Sequence, residues 1–334
     1  MEIGIDAMGG DYAPREIVTG SLLALEEYED VKLIFFGDEQ RISSEINSHP
    51  VKSKNKIDIV HAEEFISNDD TPVAAIKNKK NSSMVYGLNY LKDNKIDAFV
   101  SAGNTGALMA GGLLKVGRIS GVDRPALIAT LPTQSGLVVM ADSGSNMDCK
   151  PINLLQFAVM GSVYAEEMLD IKRPRVGLLN IGAEESKGNE LTKQSYELLR
   201  QTQLNFIGNV EARDVPYGKC DVLVCDGFAG NTVLKSMEGI ASLIIDMLKE
   251  EMMKNYLTKF GALLLKSGLM NILKKMDYKE YGGVPLLGID RTIIKAHGNS
   301  DSRAFLNAIR QARLFVGHDV LNHLRVQVSS MGVN

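Results

Sequence analysis

Short apolar segments alternate with helix-like segments along most of this chain, and that alternation restricts its fold more than any other feature. Several of the apolar segments are nearly continuous runs, which is typical of strands buried on both faces. The predicted strands are 2–6, 32–36, 56–60, 98–101, 175–180, 205–208 and 221–226. The predicted helices between them are 15–28, 82–92, 106–116, 151–168, 190–201 and 231–253. The pattern predicts an α/β fold with three layers, in which helices cover both faces of a mostly parallel sheet.

A hairpin interrupts the alternation. The apolar runs 126–131 and 137–141 are joined by a short link rich in turn residues, which predicts an antiparallel pair of strands. No repeat and no linker-like segment divides the 334 residues. We therefore expect one α/β domain over residues 1–334, with a helical insertion near 240–280.

The charge of the chain is unevenly distributed. The net charge is −4, which argues against a general nucleic-acid binder because such proteins carry a basic excess. Residues 254–275 hold five lysines and no acid, so +5 lies on this segment and −9 on the rest of the chain. Within an otherwise acidic chain, this basic, leucine-rich segment is therefore the feature that requires an explanation.

Cysteine content and hydropathy indicate the compartment. The three cysteines are an odd count, and Cys220 and Cys225 flank an apolar run, which favours buried free thiols in a reducing cytosol. The chain opens without the pattern of a signal peptide and has no apolar run of about 18 residues. We expect a cytoplasmic protein that does not span a membrane.

Small and polar residues follow four predicted strands, at the point where each strand ends. Loops rich in glycine, asparagine and acidic residues come directly after Asp6, Ser101, Asn180 and Asp226. Because ligands bind at the carboxyl ends of parallel strands, we expect these loops to lie at the same level of the sheet. Glycines and helix N-termini there favour an anion such as phosphate. The alternative is that these loops are ordinary turns and helix caps.

The sequence lacks the better-known catalytic signatures. It contains no G-x-G-x-x-G, no phosphate-binding P-loop, no G-x-S-x-G nucleophile elbow and no H-E-x-x-H zinc motif. Neither a covalent serine or cysteine mechanism nor a protein-bound metal or other cofactor is therefore expected. The ionisable residues beside the glycine loops are the better candidates: Lys187 before one helix, and His297 between a lysine and a glycine before another.

Several segments, in order along the chain, resemble the PlsX family of phosphate acyltransferases. They are Ile5-Asp6-Ala7-Met8-Gly9-Gly10-Asp11, Ser101-Ala102-Gly103-Asn104-Thr105-Gly106, Lys187-Gly188-Asn189-Glu190, Asp226-Gly227-Phe228-Ala229-Gly230-Asn231, Tyr281-Gly282-Gly283 and Lys295-Ala296-His297-Gly298. The resemblance covers residues 1 to about 324. It implies a fold similar to isocitrate and isopropylmalate dehydrogenases and phosphotransacetylase, and a homodimer.

The resemblance also implies a reaction. A long-chain acyl group would pass from acyl carrier protein to inorganic phosphate, giving acyl phosphate for a membrane glycerol-phosphate acyltransferase in phospholipid synthesis. Phosphate is a competent nucleophile once it is positioned, so the protein must mainly supply an anion cradle and donors for the oxyanion. The alternatives are a small-acyl phosphotransacetylase that uses coenzyme A, and a non-catalytic membrane-associated scaffold of lipid enzymes.

The expected site follows from these segments. Lys187, Asn231 and His297 are the predicted catalytic residues. The predicted substrate-binding residues are Asp6, Gly9, Gly10, Ser101, Gly103, Asn104, Thr105, Asn189, Asp226 and Gly230. A docking surface for the acidic carrier protein is predicted at Lys77, Lys79, Lys80, Arg118 and Arg124, although solvated charges are the usual explanation of such a group.

The basic segment has two interpretations. Its apolar residues are spaced for helices, and Gly261 and Gly268 are expected to break it into two. It would either pack in the dimer, or place Phe260, Leu265, Leu269 and Leu273 in the inner face of the cell membrane with lysines against anionic lipid.

Overall fold

Eleven strands form one sheet in a computed structural model of the chain. The structure describes residues 1–50, 54–276 and 282–330, without the side chains of 54, 269 and 271–276. The strands are β1 (Glu2–Asp6), β2 (Lys32–Gly37), β3 (Ile57–His61), β4 (Ala98–Ser101), β5 (Ala126–Thr133), β6 (Gly136–Ala141), β7 (Arg175–Asn180), β8 (Asn205–Glu211), β9 (Val222–Val224), β10 (Val284–Leu287) and β11 (Thr292–Lys295). Their order across the sheet is β3-β2-β1-β4-β11-β10-β5-β6-β9-β7-β8.

The helices cover both faces of this sheet. They are α1 (Arg15–Glu27), α2 (Glu39–Asn47), α3 (Pro72–Asn78), α4 (Ser83–Lys92), α5 (Thr105–Gly111), α6 (Pro151–Leu169), α7 (Glu190–Arg200), α8 (Gly227–Met253), α9 (Tyr256–Met276), α10 (Ser302–Gly317) and α11 (Val320–Ser330). A π-helical turn at Gly112–Val116 continues α5. The prediction of a three-layer α/β fold is confirmed.

Alternation along the strands divides the core between the two faces. In β2, Phe35 packs with α1 and α10, whereas its neighbour Phe36 packs with α4 on the opposite face. In β6, Val139 packs with α6, whereas Met140 packs with α8. Both faces of each strand are therefore buried, which explains why these strands appear in the sequence as continuous apolar runs.

The predicted hairpin is present, and the sheet contains more antiparallel pairing than the sequence indicates. β5 pairs antiparallel with β6, as predicted. β10 also pairs antiparallel with both β11 and β5. Neither β10 nor β11 is among the predicted strands, and β10 contains Pro285, a residue that disfavours a strand interior. β11 matters most for function, because it lies parallel to β4 and brings Lys295 opposite Ser101.

The expectation that the four polar loops share one level of the sheet holds for Asp6 and Ser101, which are paired, but not for all four loops. Through β10 and β5, the pairing places Ala141 at the end of β6 about one residue below Lys295 at the end of β11. However, three successive antiparallel pairings reverse the strand direction between these two ends. The loops after β1, β4 and β11 therefore leave the sheet in one direction, and those after β6, β7 and β9 leave it in the other.

The helical insertion differs in detail from its prediction. A single helix, α9, runs through Gly261 and Gly268, so the expected break at these glycines is wrong. A glycine inside a helix costs only about 1 kcal/mol, which is too little to end a helix by itself. The break lies before Tyr256 instead, where the Asn255 side chain accepts hydrogen bonds from the N–H groups of Leu257 and Thr258.

Candidate active site

Three glycine-containing loops meet at the carboxyl ends of β1, β4 and β11. The Asp11 N–H donates to the Gly298 carbonyl at 2.8 Å, joining the first loop to the third. A Cβ atom at Gly9 would lie 2.7 Å from the Gly103 nitrogen, and one at Gly10 would lie 3.0 Å from the Ala102 side chain. Gly9, Gly10 and Gly103 are therefore glycines at close loop–loop approaches, and the three loops form one packed group.

A buried carboxylate anchors this group from below. The hydroxyls of Ser83 and Ser101 each donate to Asp6, both at 2.6 Å, and the Ser101 oxygen accepts from the Gly103 N–H at 3.1 Å. Burial raises the pKa of Asp6. Asp6 and Ser101, both predicted to bind substrate, thus hold the loops together. Ser83, at the start of α4, was not predicted.

The Asn104 side chain is also used within the protein. Its oxygen accepts from the Ala107 N–H and caps α5. Its amide group donates to the carbonyls of Ser67, Asn68 and Asp70. Asn104 therefore positions a neighbouring loop, whereas Thr105 is exposed at the first residue of α5.

A second buried charge lies under the loops. Lys295 ends β11, is only 7% exposed, and donates to the carbonyls of Ala102 and Ala296. Burial lowers the pKa of Lys295 to about 8, against the opposing effect of Asp6 and Asp11. The sequence showed a lysine at this position but no reason to place it underneath the site, because β11 was not predicted.

His297 lies at the rim of the same group, two residues after Lys295. Partial desolvation of its ring, followed by the charges of Lys235 and Lys295, lowers the pKa of His297. The imidazole is therefore neutral at pH 7, and can accept or donate a single proton. Lys235 comes from α8, where its ammonium pairs with Glu238 at 2.6 Å. Neither Lys235 nor Glu238 was predicted.

A second group of polar loops follows β6 and β9. Buried Asp142 accepts hydrogen bonds from the backbone of Leu127, Ser145 and Asn146. Asp226 caps α8 by accepting from the Ala229 N–H at 2.8 Å. The next turn of α8 packs so closely on this group that a Cβ atom at Gly230 would overlap the Asp142 carbonyl. Asp226 and Gly230 therefore fix the start of α8.

Asn231 begins the second turn of α8, and its side chain faces Gly144 in the loop after β6. It lies one helical turn before Lys235, because residues four apart share a face. Asn231 is therefore one turn of α8 away from Lys235, whose charge acts on His297.

Lys187 is exposed in the loop after β7, which leaves the sheet in the opposite direction from the loop after β11. The amides of Asn180 and Asn209 hold this loop through the carbonyls of Lys187 and Glu184, at 3.1 and 2.8 Å. Asn189 caps α7 by accepting from the Thr192 N–H.

The residues of the predicted docking surface fall into two groups. The first lies around the end of α3, where Lys79 pairs with Asp70 and Lys77 and Lys80 are exposed. The second follows the π-helical turn, where Arg118 donates to the Asp123 carbonyl and Arg124 is exposed.

The chain matches known proteins over nearly its whole length. A family model described as a fatty acid synthesis protein matches residues 1–323. A phosphate acyltransferase of Thermoanaerobacter pseudethanolicus is 57% identical over 332 residues, which cover 99% of this chain and 98% of the relative. A phosphate acyltransferase of Brevibacillus brevis is 53% identical over 321 residues, which cover 96% of this chain and 95% of the relative.

Solved structures with the same fold have much lower sequence identity. A phosphotransacetylase from Streptococcus pyogenes superimposes with a TM-score of 0.60 and 15% identity, covering 94% of each chain. A branched-chain phosphotransacylase from Enterococcus faecalis superimposes with a TM-score of 0.59 and 13% identity, covering 95% of this chain and 99% of the other. These two establish the fold, and the relatives above establish the family. The resemblance seen in the sequence is confirmed, and the chain belongs to the PlsX family of phosphate acyltransferases.

Proposed function

We propose that this acyltransferase moves a long-chain fatty acyl group from acyl carrier protein to inorganic phosphate, at the loops after β1, β4 and β11. The observation that carries the proposal is the meeting of these loops above buried Lys295 and beside neutral His297. An anion bound there would have a cation below it and a proton acceptor and donor beside it.

Phosphate itself is the nucleophile in this proposal. Ser101 is buried and its hydroxyl is committed to Asp6. Burial raises the pKa of both Cys149 and Cys220 to about 12, and raises the pKa of Cys225 well above its usual value. These thiols therefore stay protonated at pH 7 and are poor nucleophiles.

The proposed step balances without a cofactor. A phosphate oxygen attacks the thioester carbonyl carbon, and the carbonyl oxygen takes the negative charge of a tetrahedral intermediate. When the carbonyl re-forms, the carbon–sulfur bond breaks and the carrier's thiolate leaves. A thiol has an ordinary pKa of about 8.5, so strong acid catalysis of its departure is not required. His297 and Lys235 are the proposed donors to the oxyanion, with Asn231 one turn away on α8.

The experiment is an assay of the purified protein with palmitoyl-carrier protein and phosphate, in which hydroxylamine traps acyl phosphate as the hydroxamate. We expect product only when phosphate is present, and about 10²-fold less turnover in His297→Ala. Lys187→Ala is measured in parallel, because its turnover decides whether Lys187 acts on the substrate. Wild-type protein that gives no acyl phosphate would refute the proposed reaction.

The same assay separates the alternatives. A preference for acetyl-coenzyme A over the long-chain carrier protein would indicate a small-acyl phosphotransacetylase. No turnover with either donor would leave the scaffold interpretation.

We further propose that α8 and α9 contact an anionic membrane surface from the cytoplasmic side. Within the described residues, no helix has the length and apolar character needed to cross a membrane. Both helices nevertheless expose large apolar side chains: Ile240, Leu243, Ile244, Met247 and Leu248 on α8, and Leu257, Phe260, Leu263, Leu264 and Leu265 on α9. The side chains of Leu269 and Leu273 lie outside the described residues. The alternative occupant of this surface is the second subunit of a dimer.

A further inference from the structure

Lys295 is the buried cation beneath the proposed phosphate site, and its contacts show how it would act there. It ends β11 between β4 and β10, and only 7% of it is exposed. Lysine is almost never buried to this extent unless it is paired, because desolvation of an ammonium group is costly. A lysine in this position therefore requires a specific reason.

The contacts of Lys295 leave one donor unused. An ammonium carries three N–H donors, and here two of them go to the carbonyls of Ala102 and Ala296. In the parts of the chain that the structure describes, Nζ has no third acceptor, and no carboxylate oxygen lies within 4.0 Å of it.

The two nearest acids do not form an ion pair with it. Both Asp6 oxygens accept from serine hydroxyls, and Asp11 accepts from the Asn68 amide at 3.3 Å. Lys295 is therefore a largely desolvated cation, and within the described residues its charge has no direct counter-ion.

We propose that the remaining donor of Lys295 binds inorganic phosphate, so that Lys295 is a substrate-binding residue of this site. This inference rests on the proposed function, because it takes phosphate as the anion. Its geometric support is the position of Nζ, which joins the loop after β4 to the loop after β11 at their bases. His297 follows Lys295 by two residues, in the loop after β11. The proposed cation and the proposed proton carrier therefore lie close together along the chain.

A purely structural role makes a different prediction. If Lys295 only held the two loops together, its removal would loosen the whole site and weaken the binding of both substrates equally. If Lys295 binds phosphate, its removal lowers the affinity for phosphate far more than the affinity for the acyl substrate.

The test compares wild type with Lys295→Met, which keeps the length and removes the charge, and Lys295→Gln, which removes the charge and keeps two of the three N–H donors. Lys92→Met, at an exposed lysine that ends α4, is the matched control. Calorimetry measures the affinity of the free enzyme for inorganic phosphate, and steady-state kinetics give KM for each substrate. We expect Lys295→Met to lose about 10- to 150-fold in phosphate affinity, the range of one hydrogen bond to a charged group. KM for the acyl substrate and the circular dichroism spectrum should stay within error of wild type.

A wild-type measurement supports the test without any variant. Above about pH 8 inorganic phosphate is already a dianion, so a further fall in affinity reports a group on the protein. The charged and titratable groups that face Lys295 and His297 are Asp6, Asp11, Lys235 and Glu238. We expect the affinity for phosphate to fall above about pH 8 in wild type and in Lys235→Met, and not to fall in Lys295→Gln.

Two outcomes would overturn the inference. One is phosphate binding by folded Lys295→Met or Lys295→Gln with wild-type affinity. The other is an equal loss of affinity for phosphate and for the acyl substrate. Failure of the proposed function is distinguishable, because it would appear as wild-type protein that binds phosphate through Lys295 and yet forms no acyl phosphate.

Discussion

Gly9→Ala is the sharpest test of how the three loops are packed. A Cβ atom at Gly9 would lie 2.6 Å from an Asp6 oxygen, 2.7 Å from the Gly103 nitrogen and 3.0 Å from the Gly103 Cα. Two of these three neighbours are backbone atoms, so no side chain can rotate to make room. Gly103 cannot retreat easily either, because the Ser101 hydroxyl holds its N–H and Lys295 holds the preceding carbonyl.

The size of the effect follows from the distances. Ordinary contact begins at 3.4 Å, so the loops after β1 and β4 must separate by about 0.7 Å. Overpacking of this kind costs about 1–3 kcal/mol of unfolding free energy. A displacement approaching 1 Å in a catalytic constellation lowers the rate by up to about 10²-fold. We therefore expect a melting temperature lower by several degrees and kcat/KM lower by about 10- to 100-fold.

Thermal melting and the hydroxamate assay measure these two quantities. The matched control is Gly261→Ala in α9, where a Cβ atom would meet nothing within 4 Å. Alanine in place of a helical glycine stabilises by about 0.5–1 kcal/mol, and the activity should not change. If Gly9→Ala melts like wild type and keeps full activity, the loops are not packed as described and the reasoning fails.

Two further predictions concern charge and the exposed helices. Burial lowers the pKa of Lys295 to about 8, whereas an unfolded lysine has about 10.5, so the unfolded chain binds more protons between these values. Wild type should therefore gain up to about 3 kcal/mol of unfolding free energy over Lys295→Met as the pH rises from about 8 to 10.5, as measured by urea unfolding; parallel curves would contradict this. Replacing Phe260 and Leu264, which are 63% and 70% exposed, by Glu should abolish salt-sensitive sedimentation with anionic liposomes. If the double variant becomes monomeric instead, with unchanged lipid binding, the surface belongs to the dimer.

The sequence predicted the strands whose environment imposes a simple pattern. β1 and β4 are buried on both faces, so their apolar runs stand out, and the β5–β6 hairpin is marked by its turn residues. β10, which contains Pro285, and β11 were not predicted, and each also pairs with a strand distant in the chain, β5 and β4 respectively. The reversal of strand direction was missed for the same reason, since β10 supplies two of the three antiparallel pairings.

The candidate site was located better than its chemistry was assigned. Ser101 was correctly placed at the end of a strand and Asn104 in the loop that follows it, and both were predicted to contact substrate. The structure gives their polar atoms partners inside the protein, because buried polar groups must be satisfied wherever they occur. A single sequence cannot indicate which donor meets which acceptor. Lys295 was overlooked for the converse reason: only its burial under the loops makes it unusual.

Helix α8 links the catalytic proposal to the membrane proposal. Its first turns pack on the sheet through Val233 and Met237 and carry Lys235, whose charge lowers the pKa of His297. The same apolar face continues from Ile240 onward, where its side chains are exposed. At 1.5 Å per residue, only about 8 Å of helix separates Lys235 from Ile240. If the exposed face rests on a membrane, one continuous helix holds the reaction close to the surface, so a product with a long apolar chain has little water to cross.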